Sequence, residues 1–127
     1  YEGIPEMLKA LKDKGIQLAV LSNKPDRQTV KVVKAIFGEE LFDYAQGQKE
    51  GIRRKPEPDG VWYLMEQMHV SKEECLYIGD SEVDAATGRN AGLKTIGVLW
   101  GFRDRKTLET AEVDDLIDRP DELLQFV

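Results

Sequence analysis

Apolar residues at helical spacing alternate along this chain with short, continuous apolar runs. Within residues 5–14, Met7, Leu8 and Leu11 share one helix face. Pro5 suits a first helical turn and Gly15 can take the left-handed stop. Residues 16–21 form an apolar run with only Gln17 inside it, the pattern of a buried strand. Over 26–37, Val30, Val33, Ile36 and Phe37 face one way, and Gly38 closes the helix. Residues 41–45 predict a short strand, and the polar, Gly- and Pro-marked stretch 46–59 predicts a loop. A third helix over 58–68 places Val61, Leu64, Met65 and Met68 on one stripe. Ser71 and Glu74 have the spacing of a capping box around a single turn. A strand at 75–78, a helix at 82–91 closed by Gly92, and a strand at 95–99 follow. The pattern ends with a helix near 107–111, a short strand at 116–117 and a helix from Pro120.

Strand and helix in alternation predict an α/β fold: a Rossmann-like three-layer α/β/α sandwich around a mainly parallel sheet. The 127 residues fit one domain, with no internal repeat, low-complexity tract or linker. A net charge of −6 argues against nucleic acid or an anionic membrane as partner, since both attract basic surfaces. It also means that any phosphate held here needs local cations or a metal to offset repulsion. Cys75, the single cysteine, can form no internal disulfide, makes a poor metal site alone, and reads as a buried strand residue. No apolar run approaches the ~18 residues of a membrane-spanning helix.

In parallel α/β sheets ligands gather beyond the carboxyl ends of the strands, so the residues after each apolar run carry the candidate chemistry. The first run ends in Leu21-Ser22-Asn23-Lys24. A hydroxyl and backbone N–H groups at such a turn can hold a phosphate oxygen; the plainer reading is that Ser22 or Asn23 caps a helix. The second candidate is the run Arg53-Arg54-Lys55-Pro56-Glu57-Pro58. A lysine fixed before a proline can project its ammonium toward a phosphate dianion, whereas a solvated basic run would do nothing of the kind. The third is Gly79-Asp80-Ser81-Glu82-Val83-Asp84, directly after a strand. Asp84 returns to the same side of the first helical turn as Asp80, and Gly79 permits close backbone approach. Two such carboxylates suit a hard cation such as Mg²⁺; otherwise Asp80 would only cap the helix and Asp84 favour its positive end.

Strand-Ser22-Asn23, then Lys55-Pro56, then Gly79-Asp80 with Asp84 resemble, in order and spacing, the second, third and fourth motifs of the haloacid dehalogenase superfamily. The resemblance covers nearly the whole chain. Gly3-Ile4-Pro5-Glu6 resembles the segment re-entering the core after a helical cap. Residues 92–98, the loop Trp100-Gly101-Phe102-Arg103 and the closing segment 118–123 are similar to the phosphoglycolate phosphatase-like branch. The resemblance implies a cytoplasmic, Mg²⁺-dependent phosphatase acting on small phosphorylated metabolites. An aspartate would attack phosphorus to give an aspartyl-phosphate, which water hydrolyses. Ser22 would bind the phosphoryl group with support from Asn23, and Lys55 would bridge nucleophile and phosphate. Asp80 would bind the metal directly, and Asp84 would bind it through water or orient the ligands.

One family feature is missing. No Asp-x-Asp, the family's first motif, occurs anywhere in the sequence. Residues 1–127 are therefore expected to be the C-terminal part of a core domain, without the nucleophile, its strand or the cap. On that expectation the chain does not turn over alone, and it pairs with an absent N-terminal segment or another chain. The absent strand would lie between strands 16–21 and 75–78. Two other readings compete. A phospho-signalling receiver domain has similar ingredients, but in the order acidic pair first, Lys-Pro last. A non-catalytic phosphate-binding or interaction module would keep the motifs without turnover. His69 reads as exposed or capping, and Trp62 and Trp100 as core or rim contacts.

Overall fold

The computed structural model describes residues 3–38, 41–101 and 103–127. The elements in order are α1 (Ile4–Asp13), β1 (Ala19–Pro25), α2 (Asp26–Phe37), β2 (Tyr44–Gln48) and α3 (Asp59–Met68). A 3-10 turn (Lys72–Glu74) leads to β3 (Leu76–Gly79), α4 (Glu82–Ala91), β4 (Lys94–Val98), α5 (Arg105–Thr110) and β5 (Asp115–Ile117). A 3-10 stretch, Pro120–Phe126, stands where a last helix was expected.

Every strand pair is parallel, as the alternation predicts. The strands form two sheets, β1-β2 and β3-β4-β5. Among the described residues β1 and β3 share no ladder, so each has one unpaired edge. Leu21 of β1 and Tyr77 of β3 nonetheless pack against one apolar cluster built on Val61, Ala91 and Leu93. The division thus falls where a central strand was expected.

α1 buries Met7, Leu8 and Leu11, the predicted stripe. They meet Leu18, Ile96, Val98, Ile117 and Leu123 in the main core. Each large apolar side chain removed from water contributes about 1.5–3 kcal/mol. α4 lies against the sheet through Gly88, where a Cβ would stand 2.1 Å from the Thr95 hydroxyl. α2 departs from expectation: it buries Thr29 and Val33, while Ile36 is 67% exposed. No helix of the described residues is long and apolar enough to cross a membrane.

β1 starts later than the apolar run because residues 16–18 serve the α1 core, with Ile16 and Leu18 packed there. It then continues through Ser22 and Asn23. β2 reaches Gln48, into the predicted loop, on polar residues: Gln46 is 3% exposed and donates to the Gly60 carbonyl at 3.4 Å. Gly47 donates to the Asp26 carboxylate at 3.0 Å.

Asp43 pins β2 to its neighbours. Its carboxylate accepts from Lys12 Nζ at 2.7 Å and from the Leu18 N–H at 2.7 Å. Burial alone would raise its pKa, but the bonds from Lys12 and Leu18 outweigh that and hold it below the ordinary 3.8. The Glu74 carboxyl is also lowered, by the Ser71 backbone N–H and hydroxyl. A carboxyl with a depressed folded pKa contributes stability above its unfolded value, and that contribution is lost as pH falls through the folded pKa. The melting temperature should therefore fall as pH drops below about 4. Asp43→Asn should flatten that fall while lowering the melting temperature at pH 7; an unchanged acid slope would exclude Asp43 as a contributor.

Candidate active site

The end of β1, the turn after β3 and the loop before α3 bring the three motif segments together. Asn23, at the end of β1, grips the backbone of Lys55: its Oδ1 accepts from the Lys55 N–H at 3.0 Å, and its Nδ2 donates to the Lys55 carbonyl at 3.4 Å. On the far side, Asn90 of α4 donates to the Pro56 carbonyl at 2.9 Å. The loop is thus tied to both half-sheets. Lys55 Nζ reaches Asp84 Oδ1 at 2.9 Å, and the two side chains are 16% and 13% exposed.

Asp84 is saturated with donors. Besides Lys55, its Oδ1 accepts from the Tyr77 hydroxyl at 3.4 Å. Its Oδ2 accepts from the Asp80 N–H at 3.1 Å and the Ser81 hydroxyl at 3.2 Å. Burial, and then the Asp84 charge, push the Tyr77 phenol up, so it stays protonated and can donate. Gly79 makes this fold-back feasible, since a Cβ there would fall 2.1 Å from Asp84 Cβ.

Asp80 is placed differently. Ser81, not Asp80, caps α4, accepting from the Asp84 N–H at 3.3 Å. Among the described residues the Asp80 carboxylate accepts no hydrogen bond. Ser22 does not cap α2, whose start has no side-chain cap; its Oγ accepts from the Lys24 N–H at 3.1 Å. Ser22, Asn23 and Lys55 line one shallow cleft with Arg53 and Arg54. Arg53 is occupied within its own loop, forked onto Asp59 at 2.9 Å and near Glu57 at 3.3 Å. A larger cleft, about 390 Å³ between Gly3, Glu6, Met7 and Pro120, lies away from these residues.

The donor set fits a hard cation in a limited way. Among the described residues no three acidic, His or Cys side chains cluster as a metal cage. One unencumbered carboxylate, Asp80, beside a saturated Asp84 matches a cation that takes one or two protein carboxylates and otherwise water and phosphate. Cys75 is half-buried, its thiol pushed up first by burial and then by Glu74, which suits no nucleophile. His69 is exposed at the end of α3, as expected. Sequence reasoning missed Tyr77, whose strand position signals burial and nothing more. It also missed Asn90, which no spacing ties to Pro56.

Known proteins share this arrangement of elements. The chain is 33% identical to a phosphoglycolate phosphatase of Aquifex aeolicus, over the whole chain and 58% of the relative. It is 32% identical to the pyrophosphatase PpaX of Bacillus anthracis, over the whole chain and 59% of that protein. A crystal structure from Lactobacillus delbrueckii subsp. bulgaricus, provisionally named a phosphoglycolate phosphatase, superposes with a TM-score of 0.95 at 39% identity, over 99% of this chain and 52% of that one. The chain therefore spans little more than half the length of the relatives it matches. The family model for haloacid dehalogenase-like hydrolases matches residues 1–98. With its parallel α/β core and its three motif segments in sequence, the chain belongs to the haloacid dehalogenase-like hydrolases.

Proposed function

We propose that these residues form the phosphate-gripping and cation-binding part of a phosphatase that hydrolyses small phosphate monoesters through an aspartyl-phosphate. The nucleophile would come from an Asp-x-Asp strand lying between β1 and β3. One observation carries this reading: the bonded series Asn23–Lys55–Asp84–Asp80 links the end of β1 to the end of β3 across the unpaired edges. Ser22 would offer its hydroxyl to a phosphoryl oxygen. Asn23 would fix Lys55, whose ammonium offsets the charge on the transferring group. Asp80 would bind Mg²⁺, which shields the phosphate charges from the attacking carboxylate. Asp84 would orient, holding Lys55 and the Asp80 peptide rather than touching the ion. The names of the relatives, phosphoglycolate phosphatase and pyrophosphatase, support a small phosphorylated substrate.

The test is a chimaera. The part of the Aquifex relative that this chain does not match is fused ahead of it, and hydrolysis of a generic aryl phosphate is followed with Mg²⁺. The chain alone should be silent and the fusion active. Lys55→Met in the fusion should lower the rate by roughly 10²–10³-fold. Turnover by the chain alone that disappears in Asp80→Asn would refute the assignment of the nucleophile. A folded but silent fusion would favour a phosphate-binding module without catalysis.

A further inference from the structure

We propose that Gly101 and the Glu82–Arg103 pair are positioning residues for Asp80: Gly101 gives its carboxylate a seat, and Glu82 holds Arg103 away from it. The inference rests on reading Asp80 as the cation ligand and adds a device that the motif residues do not contain.

Gly101, in the connection from β4 to α5, lies directly against Asp80. A Cβ built on Gly101 would lie 2.5 Å from Asp80 Cβ, 2.8 Å from Cγ and 2.5 Å from Oδ2. Ordinary carbon–carbon packing needs about 3.5–4.0 Å. The Gly101 backbone thus occupies a surface on which the Asp80 side chain rests, and only a residue without a Cβ leaves that seat open. The loop is anchored at both ends. β4 precedes it, and Asp104 starts α5 by accepting from the Thr107 N–H at 2.9 Å.

Arg103, two residues beyond Gly101, carries a full cation that feels the charge of the same carboxylate. Glu82 takes it up: Nε donates to Oε2 at 2.8 Å and Nη2 to Oε1 at 3.3 Å. That forked pair raises the Arg103 pKa, with a smaller contribution from the Asp80 charge. Glu82 opens α4 immediately after Asp80 and Ser81, so the latch closes beside the ligand without using it. Were Glu82 neutral, the Asp80 charge that already acts on the guanidinium would be left to hold it, and a divalent cation would then compete with Arg103 for the same oxygens. As a source of fold stability the pair counts for little, because the side chains are 44% and 48% exposed. Its effect is expected in cation affinity.

The experiment is a titration of the chain with Mn²⁺, reading free ion by electron paramagnetic resonance, with thermal melts run in parallel. Asp80→Asn should abolish binding. Gly101→Ala should weaken it by about 10–100-fold, the range seen when outer partners of metal ligands are lost. Glu82→Gln should also weaken it, and adding Arg103→Gln to that variant should restore it, while melting temperatures move little. If wild-type binding is insensitive to Asp80→Asn, or absent, the cation reading itself fails. If Asp80→Asn abolishes binding while Gly101→Ala and Glu82→Gln bind as wild type does, the cation reading stands and the positioning inference is overturned. Loss in Glu82→Gln without recovery in the double variant refutes the guarding role of Glu82.

Discussion

Asp84→Ala should cost the fold about 3–5 kcal/mol, the range for removing one partner of a buried ion pair. Urea unfolding followed by tryptophan fluorescence measures it. The size follows from what would be stranded. Lys55, 16% exposed, would keep its ammonium with no counter-charge, and the Asp80 N–H, the Ser81 hydroxyl and the Tyr77 phenol would each lose an acceptor. Lys55→Met should cost less, about 1–3 kcal/mol, because Asp84 would still have three donors. This ordering is the informative part. If Lys55→Met proves the more damaging, the ammonium has a structural role that its contacts do not disclose. If both are neutral, the pair is solvated in solution and the side-chain chain across the two sheets is not maintained.

The second large effect runs against helix propensity. Gly88 lies inside α4, where alanine ordinarily stabilises by about 1 kcal/mol. Here Gly88→Ala should destabilise by about 1–3 kcal/mol, the cost of overpacking a filled contact. The added Cβ would fall 2.1 Å from Thr95 Oγ1 and 3.1 Å from its Cβ and Cγ2. Thr95 cannot swing out: it is 4% exposed and its hydroxyl donates to the Leu93 carbonyl. The clash must push α4 off β4, and α4 carries Asp84 and Asn90. Combining Gly88→Ala with Thr95→Ala should recover much of the loss in the same denaturation assay. No recovery would mean that Gly88 is needed for backbone reasons and not for close approach.

Apolar periodicity made most of the fold legible. α1, α3 and α4 stand within a residue of expectation because each carries a buried stripe ended by a glycine or another αL residue. β2 was partly hidden because Gln46 and Gly47 are buried by hydrogen bonding and close approach, which leave no hydrophobic trace. Ile36 misled in the opposite sense: its helical spacing is right, yet its side chain faces outward while the neighbouring Phe37 packs on the main core. At the site, the motif residues were legible by type and order. Their wiring was not, because Asn23 and Asn90 act on the backbone of the Lys55–Pro56 segment, and side-chain-to-backbone bonds across 32 and 34 positions have no sequence signature.

The split between the two sheets has a consequence for how the molecule comes apart. Among the described residues no backbone ladder joins β1-β2 to β3-β4-β5, so the smaller unit can loosen without breaking one strand bond of the larger. What such loosening does break is the set of side-chain ties at Lys55 and Pro56, together with apolar packing shared between the two units. Local opening therefore dissolves the candidate site before global unfolding begins. Site integrity and fold stability are two separate free energies in this chain, and a substitution can lower the first while a melting curve reports only the second.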